Sequence, residues 1–304
     1  MQQSLYKAVL ACFLCITTTY TKAQGCSDAG FCTISSLKPN INDTLVTPNN
    51  QIKIGISFGS ADNAVMVWGN FIEYNRQLSK KWGIDLKVTS LSQNGNGIST
   101  LGLSDVYLTT NFKASKKLKI ITGVKAPLTN GNRKKNSLPL PMDYQSSLGT
   151  FDLILGLGYQ YKKLQILFGY QQPLTQNKNE FTAENYPPNS LLRSFQSTRN
   201  FKRSNDILLR ISYPFKLNNK LKFTPSLLPI YHLTNDKFTT ISGEEKEIIG
   251  SQGLTLNGNA FFDYEINSSN AIQINAGMPF IFRDARPDGL TRHFVLNMEY
   301  KVKF

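Results

Sequence analysis

The sequence has only two histidines, His232 and His293, among its 304 residues. It also lacks a Gly-x-Ser-x-Gly elbow, an HExxH motif and a phosphate-binding loop. A hydrolase would therefore need a nucleophile and an orienting group beside one of the two histidines. We expect no enzymatic activity, no cofactor and no metal ion, and we keep a hydrolase as a minor alternative.

Long hydrophobic runs are missing as well. No stretch of about 20 apolar residues is present, which excludes a membrane-spanning helix. A shorter apolar run, Ala8–Ile16, follows Lys7 and precedes a small-x-small triplet that ends at Ala23. This order is typical of a secretory signal peptide, here residues 1–23, so the exported chain would begin near Gln24. The alternative is a lipoprotein anchored through Cys26.

Cysteine is scarce, and two of the four, Cys12 and Cys15, lie in the expected signal peptide. The remaining pair, Cys26 and Cys32, is close in sequence and would enter an oxidising compartment, which favours an intramolecular disulfide. Two thiols with no nearby histidine form an incomplete metal set. A metal or redox site that uses Asp28, or two free thiols, remains open as an alternative.

What the sequence does contain is alternation with a period of two. In the last segment, one side carries Phe294, Leu296, Met298, Tyr300, Val302 and Phe304. The other side carries Asn297, Glu299, Lys301 and Lys303. We predict strands at 51–58, 64–76, 82–91, 104–114, 117–128, 150–162, 163–173, 205–216, 220–232, 253–266, 270–282 and 292–304.

The connections between these strands differ in length by position. Even-to-odd connections are short, whereas most odd-to-even connections are long, including 92–103, 129–149 and 174–204. Outer-membrane barrels have short periplasmic turns and longer extracellular loops. The sequence therefore predicts an all-β fold, a transmembrane antiparallel β-barrel of about 12 strands over residues 51–304. Residues 24–50 would lie in the periplasm or fold into the lumen.

The polar faces of the strands are expected to line the lumen. Acids and bases alternate there, which fits a pore with an electrostatic filter or a self-neutralising network that stiffens a closed barrel. Prolines Pro225 and Pro229 inside the ninth strand predict a bulge or bend. The main candidate lumen residues are Asp85, Lys87, Asp105, Lys125, Asp152, Arg210, Asp263, Glu265 and Glu299.

The long loops are basic, and the formal net charge is +14. Such loops either solubilise the surface or bind the phosphates of membrane lipid and lipopolysaccharide; export leaves no nucleic-acid partner. Phe304 is the expected assembly signal for the barrel assembly machinery. The loop residues proposed to face anions are Arg133, Lys134, Lys135, Arg193, Arg199, Arg203 and Arg286.

Residues 101–174 resemble an outer-membrane transporter-like family associated with phenol meta-pathway degradation operons. The matching segments are Gly102-Leu-Ser-Asp-Val-Tyr-Leu108, Gly123-Val-Lys-Ala-Pro-Leu128, Leu138-Pro-Leu-Pro141 and Ser147-Leu-Gly-Thr-Phe-Asp152. The resemblance implies a barrel for the passage of small solutes and brings no catalytic residues.

Together these features favour an outer-membrane channel for small, anionic or aromatic solutes in a Gram-negative bacterium. A non-transporting structural or adhesion barrel is the alternative.

Overall fold

Twelve antiparallel strands close into a barrel in the computed structural model, which describes residues 34–39, 50–288 and 293–304. Strand β1 pairs with β12, so the sheet closes, and the predicted fold class is confirmed. The expected signal peptide and the Cys26–Cys32 pair lie outside the described residues. Strands β1 to β12 are Asn50–Ser60, Met66–Gln77, Trp82–Gly95, Ile98–Lys113, Leu118–Pro127, Asp152–Tyr161, Leu164–Pro173, Asp206–Ser212 (continued at Phe215–Lys216), Leu221–His232, Gly253–Glu265, Asn270–Ile281 and Phe294–Lys303.

The period-two pattern places apolar side chains on the outside of the wall. In β12, Leu296 and Met298 are more than 40% exposed, whereas Glu299, whose side chain points to the opposite side of the strand, is 3% exposed. Aromatic pairs bound this apolar surface: the ring centroids of Trp82 and Phe112 are 4.6 Å apart near one end, and those of Phe58 and Trp68 are 4.6 Å apart near the opposite end. An apolar band with aromatic edges is the outer surface that suits a lipid bilayer.

Connection length separates the two ends of the barrel. One end, the short-turn end, has brief connections such as Lys162–Lys163, and the opposite, loop end carries the long connections. The second connection at the loop end differs from the prediction of a loop over 92–103. Strands β3 and β4 stay paired as far as Gly95 and Ile98, and Asn96 and Gly97 form the turn with φ of 50° and 71°. An Asn-Gly turn with two positive φ values matches the twist of a hairpin.

Strand β4 contains a bulge beside the middle of the wall. The register between β3 and β4 shifts between Val88 and Ser90, and consecutive residues Ser104 and Asp105 are both buried. Thr89 bridges the irregular site by hydrogen bonds to the backbone of Asp105. In a regular strand, two consecutive side chains point to opposite faces. The bulge changes their direction, so the side chains of Ser104 and Asp105 both point into the lumen.

Two prolines interrupt one ladder of the barrel without breaking the strand. Pro225 and Pro229 lie within β9, which keeps a continuous register with β10. The pairing between β8 and β9 has two gaps: paired positions stop at Leu208 and resume at Ile211, and they stop again at Ser212 and resume at Phe215. Proline has no N–H to donate, and the gaps fall opposite the two prolines. The irregularity predicted for β9 is thus an interrupted set of backbone hydrogen bonds to β8, while its pairing with β10 is continuous.

Helical turns in the described residues are short 3-10 turns within the connections, such as Met142–Tyr144. None of the described helices is both long enough and apolar enough to cross a membrane.

The chain's terminal residue extends the closing pair of strands. The amide of Phe304 donates to the carbonyl of Asn50 at 3.1 Å, and its side chain is 60% exposed at the short-turn end. We expect Phe304→Lys to reduce heat-modifiable, membrane-inserted protein several-fold, because the closing strand must seal the last edge of the sheet. Electrophoresis of unheated membrane fractions measures the effect.

The control for Phe304 is Phe280→Lys, which places the same charge on another exposed aromatic position near the loop end. This variant and Phe304→Tyr are expected to assemble normally. Equal assembly of Phe304→Lys and Phe280→Lys would remove any special role for the terminal residue.

Candidate functional site: the barrel lumen

A short segment that is not part of the wall lies inside the barrel. Residues 34–39, here called the lumenal plug, form a 3-10 turn over Ser35–Leu37, and Ile34 and Leu37 are 1% and 0% exposed. Both side chains pack against inward-facing residues of the wall, so the segment lies within the barrel. Within the range 24–50, residues 34–39 lie inside the barrel, and Asn50 begins β1.

Polar contacts fix the plug to four strands. Ser36 contacts the Thr109 hydroxyl at 3.4 Å, and its carbonyl accepts from Lys119 at 3.0 Å. The Lys38 ammonium donates to Glu299 at 2.6 Å, and the Lys53 ammonium donates to the Ser35 hydroxyl. Thr109, Lys119, Lys53 and Glu299 lie toward the short-turn end of their strands, so the plug occupies that part of the lumen.

One side of the lumen wall is apolar where it meets the plug. This wall patch comes from β4 to β9 and packs against Ile34 and Leu37. Gly156 makes room for the plug: a Cβ added there would lie 3.0 Å from Leu37 Cδ2 and 3.2 Å from Ile121 Cβ. The wall is therefore shaped to accept the plug. The wall patch consists of Tyr107, Ile121, Ile154, Leu167, Leu208, Leu228 and Ile230.

The other side of the lumen, from β10 through β12 to β3, is charged. Glu299 is shared by Lys38 and Lys301, and Lys301 also contacts Asp263 at 3.2 Å. Lys53 lies 3.5 Å from Glu73. Acids and bases alternate here within contact distance, so the charges on this side of the lumen compensate one another. Lys38, the one cation of the plug, contacts this charged side through Glu299.

A second polar group lies nearer the loop end. Lys125 and Asp152 form an ion pair at 2.8 Å, and both side chains are fully buried. Lys125 also donates to the Thr150 hydroxyl at 3.1 Å, and Gln171 donates to Asp152. Close by, the bulge residue Asp105 accepts hydrogen bonds from two serine hydroxyls at 2.6 Å each. These contacts link β4 to β7 across the inside of the wall.

His232 lies at the loop end of β9 in a buried set of charges. Its Nδ1 lies 2.6 Å from Asp206 and its Nε2 lies 2.7 Å from Asp236. Carboxylates only accept hydrogen bonds, so both ring nitrogens donate and the ring is cationic. Neither nitrogen is left to activate a nucleophile. The role of this histidine in the described structure is to join the wall to the loop that contains Asp236.

The same set includes two arginines. Arg203 pairs with Asp206 and lies 3.7 Å from Asp288, and Arg283 lies 3.4 Å from Asp288. Arg203 was expected to face anions from an outer loop, but its side chain is 1% exposed. Its proximity in sequence to Asp206 explains the difference, since the loop turns inward to form this pair.

The long loops pack over the loop end as a cap with apolar clusters of its own. The larger cluster joins the β1–β2 connection to loop residues that include Leu140, Tyr144, Phe181 and Phe195. A smaller one contains Met142, Leu148, Phe201 and Ile248. We call the connections 128–151, 174–205 and 233–252 the loop cap. In the described residues the lumen is thus covered at one end by the loop cap and occupied toward the other by the plug.

The candidate residues from the sequence fall into distinct places. Glu265 is half-buried, and the other eight candidate lumen residues are buried: Asp85, Lys87, Asp105, Lys125, Asp152, Arg210, Asp263 and Glu299. Of the loop residues, Arg286 contacts Asp62 and Arg199 donates to a carbonyl of the loop cap. Lys134 pairs with Glu180 at 2.6 Å, which lowers the pKa of that carboxyl.

Sequence analysis gave the lumen as one of two places for residues 24–50, but it did not identify Ile34 and Leu37 as the buried residues or the wall patch that receives them. Ile34 and Leu37 are isolated apolar residues in a segment without strand pattern. A glycine at 156 within an otherwise apolar strand was the one local signal, because a missing side chain in a strand marks a close approach of another group.

No protein-family model matches the sequence, and no curated protein matches it either. Solved structures similar to this chain include the NanC porin, at 10% identity and a TM-score of 0.45, covering 84% of this chain and 98% of that one. Another is the translocator domain of the autotransporter NalP from Neisseria meningitidis, at 8% identity, 90% and 93% coverage and a TM-score of 0.48. The CymD monoaromatic hydrocarbon channel matches at 8% identity, 92% and 94% coverage and a TM-score of 0.43.

Proposed function

We propose that this chain is an outer-membrane channel through which small solutes pass along the lumen, and that the lumenal plug closes it in the state described above. The observation that carries the proposal is the plug itself. This segment does not belong to the strands of the wall, and it occupies a lumen that is lined with charged side chains. The expected export signal and the apolar outer band support the location. Lipid, lipopolysaccharide and the barrel assembly machinery are the partners that this location implies.

The charged side of the lumen supports passage over permanent closure. Filling a barrel interior with apolar side chains is often as stabilising as filling it with buried ion pairs, because desolvation offsets much of the attraction between charges. This chain instead keeps Lys53, Glu73, Asp263, Glu299 and Lys301 around the plug. Such a lining would stabilise water and polar solutes when the plug is absent.

The plug is held weakly enough to be released. Burying Ile34 and Leu37 contributes about 3–6 kcal/mol together, and the four side-chain hydrogen bonds contribute about 2–6 kcal/mol. Ordering the backbone of six residues costs about 6–12 kcal/mol. These terms nearly cancel, so the plugged and released states lie within a few kcal/mol of each other. Thermal opening of the lumen is then expected.

The solute class is part of the proposal. The basic loop residues Lys135 and Arg193 lie at the loop end, which favours the approach of anions. The wall patch offers apolar contacts deeper in the lumen. Small anionic or aromatic solutes combine both properties, in agreement with the resemblance of residues 101–174 to a family associated with phenol degradation.

A structural or adhesion barrel is the second candidate. It is favoured by the loop cap, whose apolar clusters make the loop end a packed platform. A barrel used only as a platform would carry no current.

Planar bilayer recordings distinguish these functions. We expect purified protein to give brief conductance steps with a preference for anions. We expect a variant that lacks residues 24–48 to stay open for a larger fraction of the time, because the plug is absent. Lys38→Ala removes one plug contact and should give an intermediate open fraction. The matched control is Lys246→Ala, at an exposed loop position.

Silent bilayers for both the full-length and the shortened protein would refute passage of solutes and favour the platform function. Equal open fractions for the full-length and the shortened protein would refute the plug as the element that closes the lumen.

A further inference from the structure

A pocket of about 330 Å³ opens on the loop cap, outside the lumen. It lies where the tip of the β3–β4 hairpin meets the first two long loops. Ile98, Leu140, Tyr186 and Leu192 form its floor, and each is less than 10% exposed. This volume is in the range of small-molecule sites.

The walls of the pocket carry apolar side chains that remain open to solvent, beside the polar side chains of Asn96, Asn136 and Ser190. Leu138 is 39% exposed and Leu191 is 65% exposed, and both belong to the loop cap. Exposed apolar side chains that share a concave surface are the usual mark of a binding site. The packed floor holds this surface in shape: the Tyr186 hydroxyl donates to the Pro139 carbonyl at 2.7 Å.

Two cations without an acidic partner belong to this region: Lys135 lines the pocket, and Arg193 contacts the lining residue Tyr186. The Lys135 ammonium donates to the Gly97 carbonyl at 2.8 Å, and Arg193 donates to the Tyr186 carbonyl at 3.3 Å. No described carboxylate lies within ion-pair distance of either. The neighbouring Lys134 differs, since it pairs with Glu180. The edge of an apolar pocket therefore carries uncompensated positive charge.

We propose that this pocket binds a small carboxylate with an aromatic or alkyl body. The apolar body lies on Ile98, Leu140 and Leu191, and the carboxylate faces Lys135 and Arg193. In the described structure both cations donate hydrogen bonds to neutral backbone carbonyls. A bound carboxylate can therefore form charge-assisted hydrogen bonds to them without competing with an acidic side chain.

The height of the pocket favours a free solute over a membrane lipid as the ligand. Trp68, at the aromatic edge of the apolar band, is in register with Ser92, which pairs with Leu101. Ile98 lies three residues beyond Leu101, or about 10 Å further along the strand. The acyl chains of a bilayer do not reach that level, whereas a dissolved carboxylate does.

Equilibrium dialysis with protein in lipopolysaccharide-free nanodiscs tests the proposal. The probe is 4-phenylbutanoate, and the comparison probes are 4-phenylbutylamine and 4-phenylbutanol. We expect one site per barrel for the carboxylate, with at least tenfold weaker binding of the amine. Empty nanodiscs correct for partition into lipid. The variant that lacks residues 24–48 should bind the probe equally well, which separates this site from the lumen.

Three variants locate the site. Lys135→Gln is expected to weaken binding about tenfold through loss of one charge-assisted contact, which corresponds to 1.4 kcal/mol. Leu191→Asp should abolish measurable binding, and its exposed position leaves the fold intact. Lys134→Gln has the same change in charge at the adjacent residue and should bind within twofold of the wild type.

Unchanged binding in both Lys135→Gln and Leu191→Asp would overturn the proposal, as would equal binding of the amine or no binding of the carboxylate. Thermal unfolding of each variant must match the wild type. If it does not for Leu191→Asp, Leu191→Ser is the substitute and is expected to weaken binding in the same direction.

Discussion

Replacing Lys125 with methionine is expected to lower the free energy of unfolding by about 3–5 kcal/mol, because it leaves a buried carboxylate without its counter-charge. The ammonium of Lys125 lies 2.8 Å from Asp152, and both side chains are fully buried. Gln171 and Thr150 contact the pair but cannot neutralise the remaining carboxylate. Urea unfolding of the protein in lipid vesicles measures the change.

The double variant Lys125→Met/Asp152→Leu separates the charge effect from the packing effect. Removing both charges together avoids an uncompensated group, so most of the lost stability should return. The single variant Asp152→Leu should be destabilising for the same reason as Lys125→Met. A double variant that is less stable than both single variants would contradict this explanation.

The control for this pair is at the surface. Lys134 and Glu180 also form a close ion pair, but both side chains are about half exposed. Exposed pairs contribute about 0–1 kcal/mol, so Lys134→Met should change stability by no more than that amount. If the two methionine variants lowered stability equally, burial would not be the cause of the larger effect.

The strand count followed from the sequence because a barrel wall imposes two strict requirements. Each strand must alternate between lipid and lumen, and connections at the two ends differ in length. Both requirements act on neighbouring residues, so they leave a local pattern. The boundaries around Asn96-Gly97 were wrong since the polar residues near this hairpin were taken as a loop, although Asn-Gly is the strongest signal for a tight turn.

The contents of the lumen could not be predicted in the same way. Ser36 meets Thr109, and Lys38 meets Glu299, over sequence separations of 73 and 261 residues. Nothing in the local sequence around Ile34 or Leu37 indicates these partners. The wall patch was hidden for a related reason: an apolar inward residue in a strand resembles an outward one unless the phase of its neighbours is known.

The loop residues show a similar limit. Arg203 was expected to face outward from a loop, but it is buried together with His232 among Asp206, Asp236 and Asp288. A charged residue in a long loop is usually solvated, so composition alone favours exposure. Only the fold shows that acids from three different segments meet there and compensate these cations.

A disulfide between the plug and the wall is expected to abolish conductance. The hydroxyls of Ser36 and Thr109 lie 3.4 Å apart, so cysteines at these positions can form a bond after a small movement. The link would hold residues 34–39 in the lumen, whereas the weak native contacts allow release. The double variant is made with Cys26 and Cys32 replaced by serine, so that no other mature thiol competes.

A second cysteine pair provides the matched control. Thr110 and Thr122 face each other across β4 and β5, with hydroxyl oxygens 2.8 Å apart on the outer side of the wall. A disulfide there joins two strands next to the plug site but leaves the plug free. This control should conduct equally in its oxidised and reduced forms.

The deciding measurement is the conductance of Ser36→Cys/Thr109→Cys in a planar bilayer before and after addition of a reductant. We expect no steps from the oxidised protein and wild-type steps after reduction, while Thr110→Cys/Thr122→Cys conducts throughout. Equal conductance in the oxidised and reduced forms, or silence in both, would contradict a channel that opens by release of the plug.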